Sequence, residues 1–175
     1  MPMNQPRDSY VVGIDPGLTG AVAFLQPSSG ALRVFDMPTY KIRGRNRIIV
    51  PTLRKCFDSH LRIEHVFIED VHSLPRDAGR AAFAFGRALG VVEGVIGGLA
   101  LPMTPVTPQK WKRDMQVPAD KASAIARACQ LLPEHVALWT TKRNGGECPT
   151  VAAASGRAEA AMIALWGIRH SGLQG

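Results

Sequence analysis

The first forty residues alternate between short apolar runs and turn-forming residues. Residues 10–14 (YVVGI) are mostly β-branched or aromatic and end at the turn DPG, which predicts a buried strand. Residues 20–25 (GAVAFL) predict a second strand, and residues 31–37 (ALRVFDM) alternate apolar with polar positions, as a half-exposed strand does. We therefore expect three consecutive antiparallel strands at the start of the fold.

After residue 40, helical spacing becomes the dominant pattern. Apolar positions three or four apart predict helices, and two shorter apolar runs predict strands between them. We expect helices at 50–61, 76–99, 109–114, 121–132 and 156–170, and strands at 65–68 and 101–106. The polar segments 40–47 and 133–154 are expected to be a basic loop and a poorly ordered connection. Small residues at spacing four in the helix at 76–99 would let it approach another backbone closely.

This order of elements predicts one α/β domain with a mixed sheet and flanking helices. A length of 175 residues agrees with that prediction, since domains average roughly 150 residues. The domain would span 1–175, with flexible ends at 1–9 and 171–175. Two-domain ATPases, including those of the actin-like class, are excluded by length.

The charge balance points to a polyanionic partner. The 21 lysines and arginines exceed the 14 acids and give a net charge of +7, with a sequence pI near 9.8. Nucleic acid is the expected partner, and a membrane surface is the weaker alternative. The three cysteines are widely spaced without a CxxC pair, and no window approaches the ~18 apolar residues of a membrane span. We expect reduced thiols and a cytoplasmic protein without membrane contact.

Three acids stand where solvation is poor or where a helix begins. Asp15 and Glu69 each end an apolar strand, and Glu159 lies in the first turn of the last expected helix. Buried carboxylates need a hydrogen bond, a cation or a metal, and hard oxygen ligands suit Mg²⁺ or Mn²⁺. Each acid also has an ordinary interpretation: a turn-forming aspartate, a solvent-facing strand end and a helix-dipole residue.

Five motifs together resemble the RuvC-like Holliday junction resolvases, and most closely the shorter bacteriophage forms. They are GIDPGLTGAVAF (13–24), FIEDVHS (67–73), FGRALGVVEGVIGG (85–98), VTPQKWK (106–112) and GRAEAAMIALWG (156–167). Their order matches the family from about residue 10 to 168. A lone GIDPG would be weak, because actin-like and sugar-kinase-like ATPases use related loops.

The resemblance implies an RNase H-like fold, with a five-stranded mixed sheet flanked by helices. It also implies a homodimer that cuts two symmetric strands of a four-way DNA junction, using Mg²⁺, for which Mn²⁺ would substitute. Asp15, Glu69 and Glu159 would be the metal ligands, and two ions would promote hydrolysis of the phosphodiester without a covalent intermediate. No nucleotide cofactor is expected, because the chain has no P-loop motif.

One position departs from the family pattern. The family usually carries a further acidic or histidine ligand three or four residues before the last acid, where this chain has Gly156 and Ser155. Ser155 is either an additional neutral ligand or a helix cap. Water, Asp70 or His72 could compensate for the missing carboxylate; otherwise the protein binds junctions but cleaves slowly, or its sequence has been altered.

The lysines around Trp111 include the expected catalytic pair. Lys110 and Lys121 are 11 residues apart, which matches two active-site lysines of RuvC-type enzymes, so by resemblance they would contact the cut strand. The alternative is a solvated helix face. Lys112 and Arg113 are expected to contact DNA, and Trp111 to pack in the core.

Other cations are candidate DNA contacts. Alternate positions of the expected loop carry four cations that could follow a phosphate backbone or could be ordinary surface residues. By resemblance, His72 could stack on a base near the crossover. Together these candidates are Lys41, Arg43, Arg45, Arg47, His72, Arg76, Arg80 and Arg87.

Two other functions compete with junction cleavage. One is a junction-binding protein with impaired catalysis, because the position of the fourth acid is occupied by Ser155 or Gly156. The other is an RNase H-like nuclease for flaps or RNA–DNA hybrids. Cleavage assays on junction, flap and hybrid substrates would separate them.

Overall fold

A five-stranded mixed sheet forms the centre of the protein. The computed structural model describes residues 9–57, 62–70, 79–118 and 120–172. The spatial order is β3-β2-β1-β6-β7. These strands are β1 (Ser9–Asp15), β2 (Ala21–Leu25), β3 (Leu32–Asp36), β6 (Arg62–Glu69) and β7 (Met103–Val106). The expected mixed sheet with three opening antiparallel strands is confirmed.

The register of β1 and β6 brings the ends of two distant strands together. The two strands run parallel, and Ile14 lies opposite Ile68. Asp15 and Glu69 are the next residues along their strands, so they end at the same edge of the sheet. Strand β7 continues the parallel half of the sheet beside β6.

In the described part of the chain, five α-helices cover the two faces of the sheet. They are α1 (Val50–Cys56), α2 (Gly79–Gly98), α3 (Pro108–Asp114), α4 (Lys121–Leu131) and α5 (Val151–His170). Helices α3, α4 and α5 share one core cluster with the β-strand residues Val11 and Phe67. Helices α1 and α2 share the other with Val12 and Ile14. Alternating side chains of each strand therefore enter opposite cores.

Helix α5 packs directly on the central strand. A Cβ atom at Gly13 would collide with the backbone of Ala160 and Ala164. Glycine is required there because the helix and the strand approach backbone to backbone. This contact fixes the height of α5 above the end of β1.

The segment expected to be a basic loop is a β-hairpin. Strands β4 (Thr39–Ile42) and β5 (Arg45–Ile48) pair antiparallel as a separate two-stranded sheet. The two turn residues, Arg43 and Gly44, have φ values of 47° and 74°. Positive φ at both positions is the geometry of a type I′ turn, which suits the twist of a hairpin.

The expectation of a poorly ordered connection at 133–154 is wrong. It contains two 3₁₀ helices, Pro133–Leu138 and Lys142–Asn144, and the first residues of α5. The side chains of Trp139 and Cys148 are buried in the core beneath it. Two buried anchors explain why a segment rich in glycine and charge is nevertheless ordered.

Helix α5 also begins earlier than expected, which corrects two assignments. Thr150 is the N-cap, and its side chain accepts a hydrogen bond of 3.1 Å from the backbone N–H of Ala153. Ser155 is therefore not a cap. Glu159 lies in the third turn of the helix, so the positive end of the helix dipole does not explain it.

Other sequence predictions fall partly outside the described residues. Residues 1–8 and 173–175 of the expected flexible ends and the segments 58–61 and 71–78 belong to that part, whereas Ser9 is the first residue of β1. Helix α1 ends at Cys56 with Phe57 as its C-cap, so its predicted extension to residue 61 is wrong, and α2 is compared only from Gly79. All three cysteines are free thiols. No described helix is both long and apolar enough to cross a membrane.

Candidate active site

The negative charges of Asp15 and Glu159 act on the buried carboxyl group of Glu69 at the edge of the sheet. Glu69 is only 5% exposed. The pKa of its carboxyl group is raised from 4.5 to about 7, first by burial and then by the negative charges of Asp15 and Glu159. The hydrogen bond from Trp111 and the positive charge of Lys112 lower the pKa of Glu69 and so offset part of this rise. Acids from β1 and α5 therefore lie close enough to Glu69 of β6 to act on its charge.

Asp15 takes part in the turn that follows its strand. Its Oδ1 accepts a hydrogen bond of 3.0 Å from the backbone N–H of Gly17. A Cβ atom at Gly20 would collide with the backbone and carboxyl group of Asp15. The turn-forming interpretation of Asp15 is therefore correct for one carboxylate oxygen, and the tight turn holds this carboxyl group at the end of β1.

Trp111 holds the carboxyl group of Glu69 in place. Its indole Nε1 donates a hydrogen bond of 2.9 Å to Oε1 of Glu69, and the ring is completely buried in α3. The expected packing role of Trp111 is confirmed. Nothing in the sequence indicated that its indole donates a hydrogen bond to an acid on another element.

Lys112 is the described lysine that reaches the acids. Its Nζ lies 3.3 Å from Oε1 of Glu159 and 5.2 Å from the ring centre of Trp111. Lys110, which the spacing favoured as catalytic, instead lies 5.4 Å from the ring centre of Trp166. Lys121 is the first residue of α4, and its side chain is outside the described part.

The departure at positions 155 and 156 has a packing explanation. A Cβ atom at Gly156 would collide with the backbone of Thr19 and Gly20. An acidic side chain at this position has no room unless α5 moves away from the turn after β1. Ser155 is 5% exposed, so its hydroxyl group is buried.

The chemistry of the three acids fits a divalent cation, although they are not gathered around one point. Among the described residues, no three histidine, cysteine, aspartate or glutamate side chains form a group that could hold a metal ion. Carboxylate oxygens are nevertheless the ligands that Mg²⁺ prefers. The like charges that raise the pKa of Glu69 would be neutralised by a cation. The metal assignment of the three acids therefore stays a prediction.

The candidate DNA contacts that the structure describes lie on different elements. The guanidinium of Arg113 is paired with Asp114 at 3.0 Å beside α3. The arginines of the hairpin β4–β5 lie beside Arg87 of α2. His72 and Arg76 lie outside the described residues, and Arg80 is described only by its backbone in α2. Asp70 follows β6, and its backbone N–H donates to the carbonyl of Val106.

Comparisons with known proteins identify the fold. No protein-family model and no curated protein matches the chain. A structure of Thermus thermophilus RuvC aligns with a TM-score of 0.57 and 18% identity, covering 93% of this chain and 96% of the other. T. thermophilus RuvC in complex with a Holliday junction substrate aligns with a TM-score of 0.53 and 16% identity, covering 92% of this chain and 95% of the other. The yeast mitochondrial Holliday junction resolvase Ydc2 aligns with a TM-score of 0.53 and 12% identity, covering 95% of this chain and 84% of the other. The expected RNase H-like fold is confirmed.

Proposed function

We propose that this protein is a Mg²⁺-dependent endonuclease that cuts four-way DNA junctions by symmetric nicks. The observation that carries this proposal is the parallel pairing of β1 with β6, which ends Asp15 and the buried Glu69 at the same edge of the sheet. The raised pKa of Glu69, to which the charges of Asp15 and Glu159 contribute, supports it. Strongly perturbed carboxyl groups that repel one another are typical of catalytic sites. The net charge of +7 suits a DNA substrate, and one solved structure with this fold contains a Holliday junction.

Each residue of the site has a role in this proposal. Asp15, Glu69 and Glu159 would hold the cations, with Mn²⁺ as a substitute for Mg²⁺. Bound Mg²⁺ would supply an activated water and stabilise the leaving oxygen. The indole of Trp111 orients Glu69, because its hydrogen bond fixes one carboxylate oxygen. The ammonium of Lys112, next to Glu159, would offset charge that develops on the phosphate.

A homodimer would match the symmetry of a four-way junction. Each subunit would place its single site at one of the two equivalent strands. Analytical ultracentrifugation of the purified protein tests this point directly, and a monomer at all concentrations would contradict it.

Asp15→Asn tests the proposed site. This variant should bind a synthetic four-way junction as the wild type does in Ca²⁺ and should make no paired nicks in Mg²⁺ or Mn²⁺. Glu134→Gln, on an exposed 3₁₀ helix, is the control for the loss of one negative charge. Cleavage by Asp15→Asn at the wild-type rate would exclude Asp15 from the site.

A junction-binding protein with impaired catalysis is the second candidate function. The observation that favours it is the crowding at Gly156, which leaves no room for a fourth acid. Ser155→Asp separates the two: a gain in nicking rate means that the site lacks one ligand. Parallel assays with flaps and RNA–DNA hybrids distinguish junction cleavage from a broader nuclease activity.

A further inference from the structure

The hairpin β4–β5 sorts its cations onto two faces. Residues that lie directly opposite in an antiparallel pair share a face. Tyr40 lies opposite Arg47 and Ile42 lies opposite Arg45, so these four share one face. Lys41 lies opposite Asn46 on the other face. The alternate spacing in the sequence had placed all the cations in one row, but the turn at 43–44 separates Lys41 from the arginines.

The arginine face of the hairpin forms a cavity with α2. The cavity measures about 520 Å³, and arginines from both elements line it. Its lining residues are Tyr40, Ile42, Arg43, Arg45, Arg47 and Arg87. No acid is among them, and within the described part of the chain none of the four arginines is paired with a carboxylate. Four unpaired like charges around one space are suited to a polyanion.

A second cavity adjoins the first and contains an exposed aromatic ring. It measures about 630 Å³ and is lined by Arg43 and Arg45 of the hairpin, Phe83 of α2 and Leu18. Phe83 is 67% exposed, and Tyr40 in the first cavity is 47% exposed. Leu18 is three residues beyond Asp15, so the cavity opens beside the turn that carries the first acid.

We propose that the two cavities bind an unpaired segment of DNA next to the cleavage site, with the arginines on its phosphates and Phe83 and Tyr40 against its bases. Aromatic faces between cationic side chains are the means by which proteins bind single strands. A duplex hides its base faces, so it could use the arginines but not the rings. This inference rests on the proposed function only in placing that segment at a junction.

The electrostatic part of the proposal is tested by salt dependence. Binding of a fluorescent single-stranded oligonucleotide, measured by anisotropy in Ca²⁺, should weaken for Arg45→Ala and Arg87→Ala. Each lost phosphate contact should lower the slope of log K against log salt by about 0.7. Lys41→Ala removes one charge from the opposite face of the same hairpin and should leave the slope unchanged. Equal slopes for Arg45→Ala and Lys41→Ala would overturn the proposal.

The aromatic part is tested by base removal. Phe83→Ala should weaken binding of the oligonucleotide at least about fivefold, since each stacked base contributes substantially to single-strand affinity. The variant should bind an abasic strand of equal length as the wild type does. Phe35→Ala, an exposed phenylalanine on β3 outside both cavities, is the matched control. An unchanged affinity for Phe83→Ala together with an altered sedimentation coefficient would assign Phe83 to a protein interface instead.

The outcomes separate this inference from the proposed function. Oligonucleotide binding that depends on Arg45 and Phe83 in a protein that cuts no junction would retain this site and overturn the nuclease assignment. Junction cleavage with no effect of Arg45, Arg87 or Phe83 on strand binding would retain the nuclease and overturn this site.

Discussion

Trp111 and Glu69, 42 residues apart in sequence, form a buried hydrogen bond of 2.9 Å between Nε1 and Oε1. This bond lowers the pKa of Glu69, whereas burial and the neighbouring acids raise it to about 7. The bond is therefore strongest when Glu69 is ionised, because hydrogen bonds to a charged acceptor are stronger than neutral ones.

Trp111→Phe should destabilise the protein more at pH 8 than at pH 5. The lost bond to an ionised carboxylate is worth about 2 kcal/mol, and less when the carboxyl group is protonated. The lost packing volume lowers the free energy of unfolding equally at both pH values. The difference in destabilisation between pH 8 and pH 5 therefore isolates the hydrogen bond. Urea unfolding at the two pH values measures it. Equal destabilisation at both would mean that the indole only fills space.

Glu69→Gln should stabilise the metal-free protein at pH 8. The pKa of Glu69 is raised in the folded state, so the folded state binds more protons than the unfolded chain between pH 4.5 and about 7. Stability is consequently lost as pH rises through this window, by about 3 kcal/mol for a shift of this size. Glutamine removes the charge and keeps an oxygen that can accept from Trp111.

The expected pattern for Glu69→Gln is a gain in unfolding free energy at pH 8 that disappears near pH 4.5, together with loss of nuclease activity. Chemical denaturation in EDTA across this range measures it. Glu134→Gln, which is exposed, is the control. A variant no more stable than the wild type at pH 8 would show that Glu69 is not under electrostatic strain.

Local patterns in the sequence were sufficient to predict the sheet and two of its acids. The apolar runs before Asp15 and Glu69 are continuous, so both strands and their ends could be identified. The parallel register that brings these ends to one edge is a property of the folded sheet, and the sequence does not specify it. The link between Trp111 and Glu69 could not be predicted, because it depends on how α3 packs beneath β6.

The hairpin and the start of α5 were missed for different physical reasons. Strands β4 and β5 carry charges on both faces, so they lack the apolar alternation that indicates a strand, and the turn places a non-glycine residue, Arg43, at positive φ. Gly156 was taken as a helix boundary, but its role is close packing against the turn at Gly20. Thr150 provides the cap five residues before Ser155.

Gly156→Ala should destabilise the protein by about 1–3 kcal/mol, the usual cost of an extra methyl group in a well-packed site. The added carbon would collide with the backbone of Thr19 and Gly20, which cannot move as a flexible side chain would. Gly90→Ala on α2 is the matched control, since it has open space and should stabilise its helix by about 1 kcal/mol. Thermal unfolding of both variants measures the difference. Equal stabilisation by both would mean that α5 can withdraw from the turn, and that an acid at position 156 is sterically possible.

Lys112→Ala should reduce the rate of junction cleavage much more than Lys110→Ala does. The ammonium of Lys112 lies 3.3 Å from Glu159, whereas that of Lys110 lies against the ring of Trp166 on another part of the surface. A cation that offsets charge in the transition state contributes about 100-fold to kcat. Both variants lose one positive charge from the same helix, so a general weakening of DNA attraction would affect them alike and would appear in KM. Single-turnover cleavage of a synthetic junction at saturating protein separates the two contributions. A larger loss of kcat for Lys110→Ala would contradict this prediction. It would support Lys110 as the catalytic lysine, as its 11-residue spacing from Lys121 suggested, and would imply that Lys112 only balances the charge of Glu159.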